Sequence, residues 1–370
     1  MFTLFLFAGV ANAQFDAPIP DYWPTEDWHS GSPADHGFDE AKLAEIEGYV
    51  QREAPYLDSL LIIRNGYIVY ESYFNGYDAD TLHDVASVTK SWTSALVGIA
   101  QAQGKLTDLD ATLPTLLPDH FAEGAYADKS EITLRHLLMM RSGIAFDDNA
   151  FVTGEYGSPE DLLKSDTTAV SLGFPIAYPP GQTWNYSSLD TQLLSAIVQR
   201  AVGHPLHEYI VPNLFEPMGI GDFEWLVDES GTTVGGGSLS ITPRDMAKLG
   251  LLYLHNGIWG DEQLVPAEWV ASSLTPQGKA FYPPTDQDEI IEWYGYKWWL
   301  WKEDWHFGYR SIQAQGYAGQ QVLVFPELSL IFVTTANQDG VDPETAQRQE
   351  QVNGRIVLDF LFPALTDVEL

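Results

Sequence analysis

The sequence predicts an α/β fold of the α+β kind: an antiparallel sheet flanked by helices, with an all-helical lobe inserted. Three observations carry this. Strand-like runs occur near both ends, "SLLIIRNGYIVYESYF" early and "QQVLVF" with "LSLIFVTTAN" late. The stretch from 101 to about 235 alternates helical segments with Pro/Gly loops, and strand signals are scarce there. With 370 residues and 45% hydrophobic content, the chain can bury a substantial core as one large domain or two lobes.

The opening "MFTLFLFAGVANAQF" is apolar from Phe2 to Val10 and then offers Ala11-Asn12-Ala13, a small-x-small cleavage pattern. Residues 1–13 therefore read as a signal peptide without its basic n-region, and export to the periplasm or medium is the expectation. The run is too short to span a bilayer, which takes about 20 residues. Residues 14–37 are rich in Pro, Asp and Trp and read as an irregular arm. In "DEAKLAEIEGYVQRE", Leu43, Ile46 and Val50 have helical spacing. Asn65-Gly66, between two β-rich runs, is the strongest short hairpin signal.

A helix is expected to begin near Ser87. Further on, "TLRHLLMM" and "LDTQLLSAIVQRAV" have helical character. Thr242 reads as an N-cap, with Pro243 at the first helical position and Asp245 completing a capping-box pattern. Two late strands join through Pro326-Glu327, and "RIVLDFLF" closes the chain as an amphipathic helix. The main domain is thus expected over 38–362. Its α/β lobe takes about 38–100 and 236–362, its helical lobe about 101–235, and the cleft between them is the default site.

Composition excludes several classes. With no cysteine there is no disulfide framework, thiol nucleophile or cysteine metal site. A formal net charge of -34 repels nucleic acid and anionic membranes, whose binding needs Lys/Arg patches. The acids are scattered, as on a solvated surface suited to a saline habitat. No H-E-x-x-H, G-x-x-x-x-G-K-[ST] or G-x-S-x-G pattern is present. His204 and His207 lie three apart but lack an evident third ligand, so no metal and no cofactor is expected. His136 reads as a helix-packing residue.

The chemistry-bearing stretch is "DVASVTKSW". Ser87 and Lys90 lie three apart, on one helical face together with Ser94. A serine hydroxyl is a poor nucleophile unless a base removes its proton. Lysine, with an ordinary pKa near 10.4, is that base only where burial or a neighbouring cation lowers it. The helix start adds N–H groups that can face an oxyanion. An isolated S-x-x-K is more often a plain helix cap, so context has to decide. One such context is "YPPGQTWNYSSLD", which sets Tyr186 and Ser188 after a Pro-Pro-Gly loop and before a helix. There a tyrosinate close to an ammonium could accept the serine proton and pass it on. Another is "AQGYAGQQVLVF", with glycines at the start of a strand where a ligand or backbone comes close. In "YGYKWWLW", Trp298 or Trp299 is a candidate wall of the cleft.

In this order the three elements resemble the serine β-lactamase/penicillin-binding superfamily. The chain is most similar to its class C-like branch of esterases, 6-aminohexanoate-dimer-type amide hydrolases and D-aminopeptidase or D,D-peptidase relatives. The likeness runs from about Gly37 to Leu361 and includes "ASVTKSWTSALVGIA", "ITLRHLLMMRSGI", "PPGQTWNYSS" and "GGGSLSITPRDMAKLG". It implies the β-lactamase/transpeptidase-like fold, a nucleophile at Ser87, and Lys90 and Tyr186 as proton handlers. It further implies an oxyanion hole from the backbone N–H groups of Ser87 and Tyr317, with Ser188, Gln315 and Gly316 bordering the substrate. The position of the family's K-T-G strand falls on Ala314-Gln315-Gly316, where only the glycine is kept, and Ser188 stands where asparagine is commoner. A partner for a substrate carboxylate is therefore missing there, unless Arg310 or Lys297 supplies it. The expected function is hydrolysis of small esters or amides by a monomer or weak oligomer. β-Lactamase or D,D-peptidase/D-aminopeptidase activity, or a non-turnover penicillin-sensor module, stand as alternatives.

Overall fold

The computed structural model describes residues 15–157, 159–277, 280–281, 290–291, 293–301 and 306–368. The expected signal peptide lies outside them. Helix α1 (Glu40–Glu53) starts at Asp39, whose carboxylate accepts from the Ala41 and Lys42 N–H groups and so satisfies two free donors of the first turn. It buries Leu43, Ile46 and Val50. Next come β1 (Leu57–Arg64) and β2 (Tyr67–Tyr73), antiparallel with Arg64 opposite Tyr67. Asn65 and Gly66 both take positive φ, 53° and 85°, as a two-residue turn matched to strand twist requires.

The chain returns to this sheet only near its end, with β3 (Trp299–Trp301), β4 (Ser311–Gln315), β5 (Gln321–Phe325) and β6 (Leu330–Ala336). The strand order is β3-β4-β5-β6-β1-β2, antiparallel throughout. Every residue of β1 and β6 is buried, because helices cover both faces. Leu60 and Ile62 join one core with α1, while Leu61 and Ile63 join the other with Trp92 and Met246.

That second core holds α2 (Thr89–Ala102), α3 (Ser188–Val202) and α4 (Pro243–Leu254). Gly250 of α4 lies so close to the sheet that a Cβ there would stand 2.9 Å from Val322. Thr242 caps α4 by accepting from the Asp245 N–H, with Pro243 in the first turn. The Asp245 carboxylate takes the Thr242 hydroxyl at 2.9 Å and pairs with Lys248 at 2.9 Å. Between α2 and α4 run mostly short helices. In one of them, Leu134–Leu138, His136 is a cap rather than a packing residue: its ring accepts the Thr133 N–H at 3.3 Å. A small sheet of His83–Asp84, Leu239–Ile241 and Glu224–Trp225 ties this region to the start of α2.

The final helix differs most from expectation. As α5 it begins at Pro343, capped by Asp342, runs to Ile356, and continues as a wider turn over Val357–Leu361. Its buried positions are Ala346, Gln349, Asn353 and Ile356. Two of the four are polar, so an apolar periodicity does not show in its first three turns. The described part of the arm, 15–37, packs back along the body, where the buried Trp28 indole donates to the Arg244 carbonyl at 3.0 Å.

Candidate active site

Ser87 does not open the helix as expected. It sits in a tight turn, Ala86–Val88, and α2 starts two residues later at Thr89. Ala86 is held at φ 47°, a left-handed conformation that costs a residue with a Cβ and persists only where the surroundings impose it. Asp84 imposes it by accepting the Ala86 N–H at 2.8 Å, and the Val85 N–H is fixed by the Leu239 carbonyl at 2.9 Å. Behind the turn, the polar face of α2 is pinned: Thr93 donates to the Gly235 carbonyl at 2.8 Å and Ser91 to the Lys297 carbonyl at 2.7 Å. Ser94 shares that face and is buried, but its hydroxyl has no hydrogen-bond partner among the described residues.

Lys90 is 2% exposed, and its ammonium reaches Ser87 Oγ at 2.6 Å and the Gly236 carbonyl at 2.8 Å. Burial pulls its pKa from the ordinary lysine value down to about 8, partly opposed by the charge of Asp148. The same ammonium lies 4.9 Å from the centre of the Tyr186 ring. Tyr186 stacks on Trp299 at 5.8 Å, while Trp298 is core, packed on Tyr253. Burial first, and then Asp148, push the Tyr186 phenol well above its ordinary pKa; a hydrogen bond with Ser87 opposes them. A resting tyrosinate is thus disfavoured.

Ser188 opens α3, and its backbone N–H gives a 3.0 Å bond to Asp148 while its hydroxyl bonds the same carboxylate. Its small side chain is therefore engaged by an acid that sequence reasoning missed. Asp148 stands in "AFDDNAF", where an Asp-Asp pair reads as solvated surface. A second missed layer lies deeper. Asp190 is wholly buried and accepts from the Ser142 N–H and hydroxyl. Lys297, 2% exposed, donates to the Leu137 carbonyl at 2.6 Å. Burial pushes the Asp190 carboxyl up and the Lys297 amine down, and each charge offsets the other's desolvation.

On the sheet side, β4 ends beside the nucleophile. A Cβ on Gly316 would stand 2.4 Å from the Val85 carbonyl, so this position admits only glycine. Tyr317 follows, its hydroxyl donating to the Val341 carbonyl at 2.7 Å. The backbone N–H groups of Ser87 and Tyr317 have no protein acceptor among the described residues, leaving both available to an oxyanion. Gln315 is bonded to Glu350 of α5, another missed acid, which burial raises to about 7. Ala314 is buried.

Neither proposed substitute for the absent carboxylate partner reaches this place. Lys297 is enclosed behind Lys90's helix, and Arg310 pairs with Glu327 at 2.8 Å. A cavity of about 680 Å³ opens in front of Ser87, with Tyr317, Ser188, Asp148 and Phe146 in its walls. Lysine and arginine are absent from its described lining. The described residues include no group of three or more His, Asp or Glu placed to hold a metal ion, and no helix long and apolar enough to cross a membrane. His207 meets Thr233 at 3.0 Å and His204 meets Glu208 at 3.5 Å.

Comparison with known proteins bears on this geometry. A family model described as "Beta-lactamase" matches residues 50–353. A Salmonella agona protein named "Putative D-alanyl-D-alanine carboxypeptidase" is 26% identical over 215 residues. That match takes in 52% of this chain and 49% of the relative, so the chain spans about half the length of that relative. Among solved structures, "Putative 6-aminohexanoate-dimer hydrolase from Bacillus anthracis" superposes with a TM-score of 0.69 at 18% identity, covering 92% of this chain and 89% of that one. "EstCE1, a hydrolase with promiscuous acyltransferase activity" superposes at 0.60 with 16% identity, covering 86% and 98%. At such identities the structural likeness speaks for the fold.

Proposed function

The chain belongs to the beta-lactamase family, and from that premise we propose that it is a serine hydrolase forming an acyl-enzyme on Ser87 from uncharged esters or amides. The observation that carries this is the 2.6 Å contact between the buried Lys90 ammonium and Ser87 Oγ. Neutral Lys90 takes the Ser87 proton as Oγ adds to the substrate carbonyl, and the oxyanion is met by the Ser87 and Tyr317 N–H groups. As the carbonyl re-forms, the leaving group departs with a proton from the Tyr186 phenol, which Lys90 then restores. Water, deprotonated by the same pair, releases the acid and regenerates Ser87.

Selection against anions follows from what faces the nucleophile. A β-lactam or peptide carboxylate needs a charge-assisted partner, and such bonds are roughly twice as strong as neutral ones. Ala314 is apolar and buried, Gln315 is occupied by Glu350, and Lys297 and Arg310 are engaged elsewhere. Losing that contact costs about 1.5–3 kcal/mol of binding, or roughly 10- to 150-fold in specificity. The test compares kcat/KM for p-nitrophenyl butyrate and nitrocefin in the wild type and Ser87→Ala. Ester turnover that needs Ser87 and exceeds nitrocefin turnover supports the proposal. Nitrocefin turnover at the efficiency of a dedicated β-lactamase, with the ester lagging, would overturn it, and labelling by a fluorophosphonate without any turnover would make the protein a sensor. Export belongs to the same proposal, and N-terminal sequencing of the mature protein tests it: an intact Met1 excludes cleavage after Ala13.

A further inference from the structure

We propose that the cavity in front of Ser87 is an acyl chamber, and that the preferred substrates carry an extended apolar acyl chain with no charge at its far end. This rests on the serine-hydrolase reading above and names the half of the substrate which that reading leaves open.

Size is the first argument. About 680 Å³ falls well inside the range of roughly 300–1,000 Å³ typical of small-molecule sites, and far exceeds what an acetyl group fills. The walls are the second. Beyond Ser87 they are built by Phe146, Phe151, Leu163, Val170, Leu226 and Val234. The acids among the lining residues are already committed: Asp148 to Ser188, Asp84 to the Ala86 N–H, and Asp342 to capping α5. A chain end bearing a carboxylate would meet apolar side chains and these acids, with no described lysine or arginine to pair with it.

A third argument comes from the protein surface. Seven large apolar side chains stand exposed among the described residues, and they are not scattered evenly. Val152 and Leu226 line the cavity, Val227 follows Leu226, and Tyr156 stacks on Phe146 with ring centres 5.2 Å apart. An exposed apolar patch at a pocket mouth marks a binding site for apolar ligands.

Direction is the last argument. The cavity wall includes Ser87 but neither Lys90 nor Tyr186. A leaving group must receive its proton from that pair, so it departs on their side. The chain still bonded to Ser87 through the acyl carbon extends the other way, into the chamber.

The experiment is a series of p-nitrophenyl esters from acetate to decanoate, with methyl octanoate and octyl acetate to separate the two halves of the ester. Burying a methylene is worth roughly fourfold, so kcat/KM should climb at least about a hundredfold from acetate to octanoate. Mono-p-nitrophenyl suberate, the same length with a terminal carboxylate, should lose at least about tenfold against octanoate. Leu226→Asp, at a side chain 48% exposed and so outside the core, should lower the octanoate-to-acetate ratio about tenfold or more. A flat chain-length series with Ser87-dependent turnover would sink the chamber and leave the hydrolase standing. So would octyl acetate outrunning methyl octanoate, which would put the alcohol in the cavity. No Ser87-dependent turnover and no fluorophosphonate labelling would sink the hydrolase reading itself.

Discussion

Behind Ser87, Lys90, Asp190 and Lys297 are buried, with Tyr186 and Asp148 half-buried beside them; Lys90 donates to Ser87 Oγ and the Gly236 carbonyl, Lys297 to the Leu137 carbonyl, and Asp148 and Asp190 accept from Ser188 and Ser142. In front of it, the chamber wall carries ten Phe, Leu and Val residues, and its acids Asp84 and Asp148 are held by backbone N–H groups. In the first region burial changes the charge state of the groups themselves, pulling Lys90 down to about 8 and raising Tyr186 and Asp190. In the second, the few acids are hydrogen-bonded in place, and what the apolar side chains offer is a place to leave water. On the proposed function, the comparison separates two demands on one serine: proton transfer would be set by desolvated polar groups on one side, and substrate choice by apolar surface on the other.

The largest effect should come from breaking the first region at its centre. Lys90→Arg keeps a cation but removes a group able to give up a proton at working pH. General-base assistance is worth about 10²–10⁴-fold, and kcat/KM on any ester should fall by that much while the fold is retained by circular dichroism. Activity within a few-fold of wild type would remove Lys90 from the mechanism. Next in size is the deeper layer. Lys297→Met removes the charge that offsets the desolvation of Asp190 and the donor to the Leu137 carbonyl, so the fold should lose stability. Urea unfolding should show that loss, and Lys297→Met with Asp190→Asn should recover most of it. A single variant as stable as wild type would mean that the two charges do not depend on each other.

The regions also differ in how far they could be read from sequence. The Ser87–Lys90 pair came from its spacing on one helical face, and Tyr186 from its place after a Pro-Pro-Gly loop together with the family resemblance. Strands β1, β2, β5 and β6 were legible from β-rich runs such as "LLII" and "LIFV", while β3 and β4, short and polar or aromatic, were not read as strands from their residues. Asp148, Asp190 and Glu350 were not legible. The charge state of each is shifted by burial, and burial follows from tertiary packing that no local pattern announces. Asp190 hides within the apolar spacing of "LDTQLLSAIVQ", and Glu350 within a helix whose buried face includes Gln349 and Asn353. The chamber was invisible for a related reason: its walls come from Phe146, Leu163, Leu226 and Val341, distant in sequence and each ordinary alone.

A smaller and sharper effect concerns pH. Lys90 must be neutral to accept the serine proton, so kcat/KM should rise with pH through about 8 and level off above it. Tyr186, pushed well above its ordinary value, should add no falling limb in the accessible range. Asp148 raises the Lys90 pKa by stabilising the ammonium. Asp148→Asn should therefore move the rising limb to lower pH, while still offering Ser188 an acceptor. A limb that stays in place, or moves up, would show that Asp148 does not set the charge state of Lys90.

The smallest effect tests whether the first region is sealed from solvent. Salt screens charges that water can reach, with a Debye length near 10 Å at 0.1 M and about 3 Å at 1 M. The chain carries a net charge of -34 spread over scattered acids, and their mutual repulsion opposes the compact state. Raising NaCl from about 0.05 to 1 M should relieve that repulsion and lift the melting temperature by a few degrees, since 1 kcal/mol corresponds to roughly 2–4 °C in a domain of 150–250 residues and less in a longer one. Lys90 is 2% exposed and in direct contact with Ser87 and Gly236, so ions should not enter between them. Its pH limb should accordingly move by less than about 0.3 units over the same range, because buried pairs are screened far less than exposed ones. The two readings must be taken on one sample series, since either alone is ambiguous. A melting temperature that rises together with a limb that shifts by a full unit would mean that solvent ions reach Lys90, and that the base works in an open cleft. A melting temperature that stays flat would mean the surface acids are compensated locally. Only a rise in stability with a fixed limb fits a solvated acidic surface enclosing a proton-transfer site closed to ions.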